Sequence, residues 1–174
     1  MKHYGTISLS GKRIKLRRIR ESDAVAIYNS FINQEEYLYY ANKKRRSLEE
    51  QKISLIGIDK KYEKLDYYNW VITLNEVIIG SINCHINSDN GMINYALDNR
   101  YVNNGYMTEA LGLVLDYLLN YVKLNKVECG CVVENIKSKK VIEKNNMKYY
   151  GILKSEVLLE DGFHDMYLYY LERG

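Results

Sequence analysis

Residues 103–122 read NNGYMTEALGLVLDYLLNYV, a polar turn that leads into a strongly periodic segment. Residues 93–98 (INYALD), just before the turn, have the pattern of a strand. A strand, a glycine turn and a helix in succession bring together unpaired main-chain N–H groups and the positive end of the helix dipole, which suits a phosphate group. An ordinary strand-to-helix connection would have the same outline. The helix is predicted because apolar residues recur at spacings of three and four, namely Met107, Ala110, Leu111, Val114, Leu115, Leu118, Leu119 and Val122.

The composition is that of an ordinary globular chain of 174 residues, which we expect to form one domain over residues 1–174. The net charge of +3 is too small to indicate a nucleic-acid partner. No apolar run reaches 18 residues and the start, MKHYGTISLSGKRIKL, lacks a signal-peptide core, so we expect no membrane span and a cytoplasmic location. Three cysteines, none paired with another Cys or His at zinc spacing, predict free buried thiols and no metal.

The rest of the chain predicts a mixed α/β fold around one central sheet. Two short strands, 6–9 and 13–17, form a hairpin, and Ser22 caps a helix that extends to about residue 32. Ser47 and Glu50 form a capping box for a helix that extends to about residue 62. Further strands are predicted at 67–74, 77–86, 92–98 and 126–133, then a short helix at 135–144. A hairpin of strands 149–156 and 166–171, with its turn at 160–162, closes the chain.

The segment ALDNRYVNNGYMTEAL, residues 96–111, resembles motif A of the GNAT acyl-CoA-dependent N-acyltransferases, in particular the branch of ribosomal-protein N-terminal acetyltransferases. Gly105 matches the glycine of that motif, and the residues after it match the usual continuation of the branch. Val102 stands where Arg or Gln is common, and Met107 stands where a small residue is common. The resemblance implies that the CoA pyrophosphate is held mainly by main-chain amides of Val102, Asn103, Asn104, Gly105, Tyr106, Met107 and Thr108.

A second segment, VVENIKSKKVIEKNNMKYYG at residues 132–151, resembles motif B of the same family. The resemblance implies that Asn135 bonds the pantetheine arm of CoA and that Ser138 lies close to the thioester sulfur. Without the resemblance, helix capping explains both residues. The family also implies a central mixed, mostly antiparallel sheet of about seven strands flanked by four main helices. Its fourth and fifth strands, here 92–98 and 126–133, are splayed.

The implied reaction is direct attack of a primary amine on the acetyl-CoA thioester. The oxyanion would be stabilised by a main-chain N–H near Tyr95 and Leu97, on the splayed strand. The tyrosine that many relatives use as an acid falls at Ile142 here, and the glutamate that some use as a base falls at Gly130. We therefore predict Ser138 as the group nearest the sulfur and Glu128, on the same strand face as Gly130, as a candidate base.

The acceptor is an open question at the level of sequence. A protein N-terminus, as in the ribosomal-protein branch, and a small amine such as a polyamine, amino acid or aminoglycoside both fit. The family implies that the connection YLYYANKKRR, residues 37–46, helps to wall the acceptor site, and a loop histidine, His164, could reach the cleft. Two further alternatives are a CoA-binding module without catalysis and a partner-binding domain that has lost the cofactor. A monomer and a homodimer are equally compatible with the sequence.

Overall fold

The protein is built on one open sheet, seen in a computed structural model that describes residues 1–32, 46–159 and 161–174. The order of the strands across the sheet is β1-β2-β3-β4-β5-β6-β8-β7. Every neighbouring pair is antiparallel except β5 and β6, which are parallel. The strands are β1 (Leu9–Ser10), β2 (Lys15–Arg18), β3 (Tyr68–Leu74), β4 (Val77–Asn87), β5 (Asn90–Leu97), β6 (Lys126–Val132), β7 (Lys148–Leu159) and β8 (Gly162–Glu172).

The parallel pair separates partway along its length. The pairing of β5 with β6 begins at Asn90 and Lys126 and ends at Ile93 and Cys129. Beyond that point β5 stays paired with β4 as far as Leu97, and β6 stays paired with β8. The two strands therefore diverge, as predicted, and open a gap in the middle of the sheet.

The helices lie on both faces of this sheet. The first helical segment begins with a 3-10 turn (Glu21–Asp23), continues as α1 (Ala24–Ile27) and ends in a wider π turn (Tyr28–Ile32). The long helix α4 (Tyr106–Asp116) likewise extends as a π turn over Tyr117–Val122. The other helices are α2 (Leu48–Leu55), α3 (Ile58–Lys61) and α5 (Ile136–Lys144).

Two apolar layers separate the helices from the sheet, because side chains alternate between the two faces of each strand. On one face Trp70 and Ile72 pack with the buried stripe of α4, and on the other Val71 packs with the helical segments before β3. The stripe predicted from the sequence is buried along its whole length, from Met107 to Val122. The helix therefore lies against the sheet with the face that its periodicity predicted.

Several boundaries differ from the sequence prediction. The helix predicted to extend to about residue 62 is interrupted at Gly57, which has φ of 69° and donates its N–H to the Glu21 carboxylate at 2.6 Å. The first helical segment begins at Glu21, so Ser22 lies inside it, and Asp23 accepts a hydrogen bond from the Arg20 N–H at 2.8 Å instead. The strands of the last hairpin are longer than predicted, and the strand boundaries of the first hairpin are shifted by one to three residues.

Two local predictions, the Ser47 capping box and the free thiols, hold within the described part of the chain. The Ser47 capping box is present, with Ser47 accepting from the Glu50 N–H at 3.2 Å. Cys84, Cys129 and Cys131 are free, buried thiols. Among these residues, no helix is both long and apolar enough to cross a bilayer. The connection predicted to wall an acceptor site lies outside the described residues except for Arg46, as does residue 160 of the last turn.

Candidate active site

The turn between β5 and α4 is held in a conformation that its sequence makes possible. Asn103 and Gly105 both have positive φ, 63° and 78°, a region in which glycine and, to a lesser degree, asparagine are tolerated. The side-chain amide of Asn104 donates to the main-chain carbonyls of Tyr101 and Val102 at 3.3 and 2.9 Å. At the start of α4, the Glu109 N–H donates a hydrogen bond to the Gly105 carbonyl at 3.0 Å. By helix geometry, the amides of the first turn therefore point out of the helix end.

The turn is braced from the hairpin of β1 and β2. Arg13 donates through Nη1 to the Asn104 carbonyl at 2.8 Å and through Nε to the Glu109 carboxylate at 2.9 Å. Its guanidinium also lies over the ring of Tyr106, 4.7 Å from the centroid. A Cβ at Gly11 would collide with the Glu109 carboxylate, so a larger residue there would displace that side chain from its place beside Arg13. Burial alone would raise the pKa of Glu109, but the hydrogen bonds from Arg13 lower it below its ordinary value.

One cavity of about 690 Å³ extends from this turn to the gap between β5 and β6. Its walls come from the separated strand ends, from the start of α4 and from one side of α5. Asn104 and Tyr106, which the resemblance placed at the cofactor, do not line it and instead contact Arg13. The sequence-predicted residues that do line it are Tyr95, Leu97, Val102, Asn103, Gly105, Met107, Thr108, Asn135 and Ser138.

Asn135 and Ser138 form the start of α5. Asn135 is the N-cap, and its side-chain oxygen accepts from the Ser138 N–H at 3.0 Å. Asn135 therefore has the capping role that was one of the two interpretations of the sequence, and it also lines the cavity. Ser138 is half-buried, and its hydroxyl lies 2.7 Å from the hydroxyl of Tyr95. Burial raises the pKa of the neighbouring Cys131 thiol to about 11, although a hydrogen bond with Ser138 acts in the opposite direction.

The structure places Glu128 away from the cavity. Its carboxylate is paired with Lys126 on the same strand, with Nζ and Oε1 2.6 Å apart, and it is not among the residues that line the cavity. The positions where relatives carry an acid and a base are filled by other contacts. Ile142 is fully buried in the core, and a Cβ at Gly130 would come within 2.8 Å of the Met166 sulfur.

Sequence reasoning missed several charged residues that line the cavity. The lysines Lys137, Lys140 and Lys144 line it from α5. Their spacing of three and four residues, which places them on one side of a helix, is a signal that the sequence did contain. Glu134 also lines the cavity, and its carboxylate contacts the ring of His164 at 3.3 Å. No pattern in the sequence links these last two residues, which are 30 positions apart.

His164 lies on β8 and not in a loop as predicted, and it contacts Glu134 without itself lining the cavity. Its other ring nitrogen lies 2.8 Å from the carboxylate of Asp161. The hydrogen bond with Asp161 makes the largest contribution to raising the pKa of His164 above its ordinary value, and the hydrogen bond with Glu134 makes the next largest. Within the described residues, no group of His, Cys, Asp and Glu could hold a metal ion.

The chain resembles several known proteins. Residues 13–148 match the family profile described as Acetyltransferase (GNAT) domain. The "Probable N-acetyltransferase YjcK" of Bacillus subtilis (strain 168) is 31% identical over 94 residues, which are 54% of this chain and 49% of that protein. The chain thus matches about half the length of that curated relative.

Solved structures match over nearly the whole chain. Ribosomal-protein-S5-alanine acetyltransferase from Vibrio fischeri has a TM-score of 0.83 at 23% identity, covering 96% of this chain and 97% of that one. Mycobacterium smegmatis RimJ, solved in complex with CoA-disulfide, has a TM-score of 0.86 at 19% identity, covering 99% and 90%. Identities this low show a shared fold.

Proposed function

Because the chain belongs to the GNAT acetyltransferase family, we propose that it transfers the acetyl group of acetyl-CoA to a primary amine. The observation that carries this proposal is the single cavity that joins the turn before α4 to the gap between β5 and β6. CoA has anionic phosphates at one end and the reactive thioester at the other. The cavity offers outward-pointing main-chain N–H groups at the turn and the hydroxyl of Ser138 at the gap, so its two ends suit the two ends of CoA.

The phosphate end relies on main-chain groups. Amides at the start of α4, from Gly105 to Thr108, would hold the pyrophosphate, helped by the positive end of the helix dipole. The lysines of α5 add positive potential to the same cavity. Val102 and Met107, which depart from the family pattern, contribute main-chain groups to this turn, and a change of side chain leaves those groups in place.

The reacting end relies on side chains and on the strand separation. A main-chain N–H in residues 95–97 would stabilise the oxyanion that forms when the amine attacks. Ser138 would donate a proton to the sulfur that departs, and Asn135 would position the pantetheine arm. Glu134 replaces Glu128 as the candidate base, because it lines the cavity whereas Glu128 is paired with Lys126 outside it. Glu134 would receive the amine proton directly or through water.

The charges of the cavity favour an acceptor with a single amine. In the described part of the chain the charged side chains of the lining are three lysines and one glutamate, so a polycationic acceptor would find a single carboxylate to pair with. A free α-amine has a pKa of about 7.7–8.0, whereas a lysine amine has a pKa of about 10.4. A carboxylate, which is a weak base, can therefore take the proton of an α-amine more readily than that of a lysine amine. We therefore propose a peptide or protein N-terminus as the acceptor. The ribosomal-protein acetyltransferase named above, which shares the fold, is consistent with this choice.

The first test is a thermal melt with and without acetyl-CoA, with ADP as the comparison ligand. Ligand at about 100 times its dissociation constant adds about 2.7 kcal/mol to the free energy of unfolding. For a chain of this length that is a rise of about 5–11 °C. No rise at millimolar acetyl-CoA would reject CoA binding, and an equal rise with ADP would reject the use of the pantetheine end of the cavity.

The second test is release of the CoA thiol with a panel of amines. We expect peptides that begin with Ala or Ser to react faster than spermidine or free lysine. Glu134→Gln should lower kcat, whereas Glu128→Gln should retain it. Loss of activity in Glu128→Gln alone would restore the assignment made from the sequence, and thiol release with no amine of the panel would favour a CoA-binding module without catalysis.

A further inference from the structure

The hydroxyl groups of Tyr95 and Ser138 meet inside the cavity. Their oxygens are 2.7 Å apart, and the Tyr95 hydroxyl is also 3.2 Å from the main-chain carbonyl oxygen of Ser138. Tyr95 lies on β5 beyond Ile93, where the pairing with β6 has ended, and Ser138 lies in the first turn of α5. The contact thus joins β5, beyond the point where it leaves β6, to the start of α5.

This contact matters because a serine hydroxyl is by itself a very weak acid. A thiol such as that of cysteine has a pKa of about 8.5 and a tyrosine hydroxyl about 10, whereas an alkyl hydroxyl does not titrate in the ordinary range. A serine that gives its proton to a departing thiolate must therefore receive another proton in the same event. The Tyr95 hydroxyl is within hydrogen-bond distance of Ser138 and is the stronger acid of the two.

We propose that Tyr95 supplies the proton that Ser138 passes to the departing CoA thiolate. This inference rests on the acetyl transfer proposed above. As the bond between the amine nitrogen and the carbonyl carbon forms and the carbon–sulfur bond breaks, the sulfur takes the proton of Ser138. Ser138 takes the proton of Tyr95, and the phenolate regains a proton from solvent when the product leaves. The hydroxyl of Tyr95 acts through Ser138, so the side chain of Tyr95 is a positioning group that also supplies a proton.

The other groups around Ser138 are less suited to this role. Ile142, where many relatives carry a tyrosine, is fully buried and has no proton to give. The Cys131 thiol is also beside Ser138, but burial raises its pKa to about 11 and makes it a weaker acid than a free cysteine. Charged side chains that line the same cavity are Glu134, Lys137, Lys140 and Lys144.

The test begins with Tyr95→Phe, which retains the ring and the main-chain N–H. We expect kcat to fall by about 100-fold, the usual scale for loss of a general acid, with KM for acetyl-CoA changed by less than about twofold. The matched control is Tyr121→Phe, since Tyr121 is an exposed tyrosine at the far end of the α4 segment and should retain the wild-type kcat. Wild-type kcat in Tyr95→Phe would overturn the proposal.

Two further measurements separate proton supply from a merely structural contact. Ser138→Ala and the double variant with Tyr95→Phe should both lose about as much as Tyr95→Phe alone, because the two residues act as one unit. Replacing Tyr95 by 3,5-difluorotyrosine, a stronger acid, should move the high-pH decline of kcat to lower pH. Additive losses, or an unmoved decline, would overturn the proposal.

Failure of the proposed function and failure of the role of Tyr95 give different results. Absence of thiol release by the wild type with every amine of the panel would reject the acetyltransferase assignment and this inference together. An active wild type with an equally active Tyr95→Phe would reject only the role of Tyr95.

Discussion

The two ends of the cavity are built in different ways. At the turn before α4, the groups proposed to hold the ligand are main-chain amides, and side chains such as Arg13 and Asn104 only hold the loop in shape. At the gap between β5 and β6, the groups proposed to act are the side chains of Ser138, Tyr95 and Glu134. A site built from the main chain tolerates a change of side chain, as at Val102, whereas a site built from side chains depends on each of them.

The largest effect is expected at Gly105, where the positive φ of the main chain disfavours a side chain. Gly105→Val places a β-branched residue at φ of 78°, a strain of about 1–3 kcal/mol. The space around it is adequate, since the nearest atom to a Cβ there is Arg13 Nη2 at 3.4 Å. We expect the turn to rearrange and the rise in Tm with acetyl-CoA to disappear. A retained rise would show that the turn does not hold the phosphates.

The control for that variant is Gly151→Val. Gly151 lies on β7, has no positive φ, and a Cβ there would meet no atom within 4 Å. We expect this variant to keep both the melting temperature and the response to acetyl-CoA.

The second effect distinguishes the two roles of Asn135. Asn135→Ala removes the N-cap of α5 and should cost about 0.5–2 kcal/mol of stability. Asn135→Ser keeps a capping oxygen and should restore the melting temperature. If the amide also binds pantetheine, Asn135→Ser will show a raised KM for acetyl-CoA, and a normal KM would leave capping as the whole role.

The third effect concerns the brace on the turn. Arg13→Ala removes the hydrogen bonds to Asn104 and Glu109. Because Arg13 is about half exposed, we expect the free energy of CoA binding to weaken by only about 1 kcal/mol, which is about fivefold in affinity. The control is Lys12→Ala, which makes the same change of net charge at the adjacent position. Equal losses in both variants would mean that charge, and not the brace, determines affinity.

The smallest effect is a pH dependence at the reacting end. The pKa of His164 is raised in the folded state by Asp161 and Glu134, so its protonated form stabilises the fold. The contribution is present in full below the unfolded pKa of about 6.5 and is lost as pH rises through the higher folded value. The Tm difference between the wild type and His164→Gln should therefore be largest near pH 5.5 and shrink at pH 8.5. A difference that grows with pH would contradict the pairing.

Local patterns accounted for much of the fold. The stripe of α4, the Ser47 capping box and the alternation of the strands are all set by residues close together in sequence, and the structure confirms them. Errors occurred where a distant residue intervened. The second helix breaks at Gly57, whose N–H is bound by Glu21, 36 positions away. Glu128 is a different case, because the partner that occupies its carboxylate, Lys126, is only two positions away on the same strand.

The sequence by itself determined the helix, the turn that precedes it and the family motifs, because each depends on the conformational preferences of a few consecutive residues. Only the tertiary structure decided which side chains meet in the cavity. Tyr95 and Ser138 are 43 positions apart, and Arg13 and Asn104 are 91 apart. Such contacts depend on strand register, on where β5 and β6 separate and on how helices pack against the sheet, and these are properties of the whole chain.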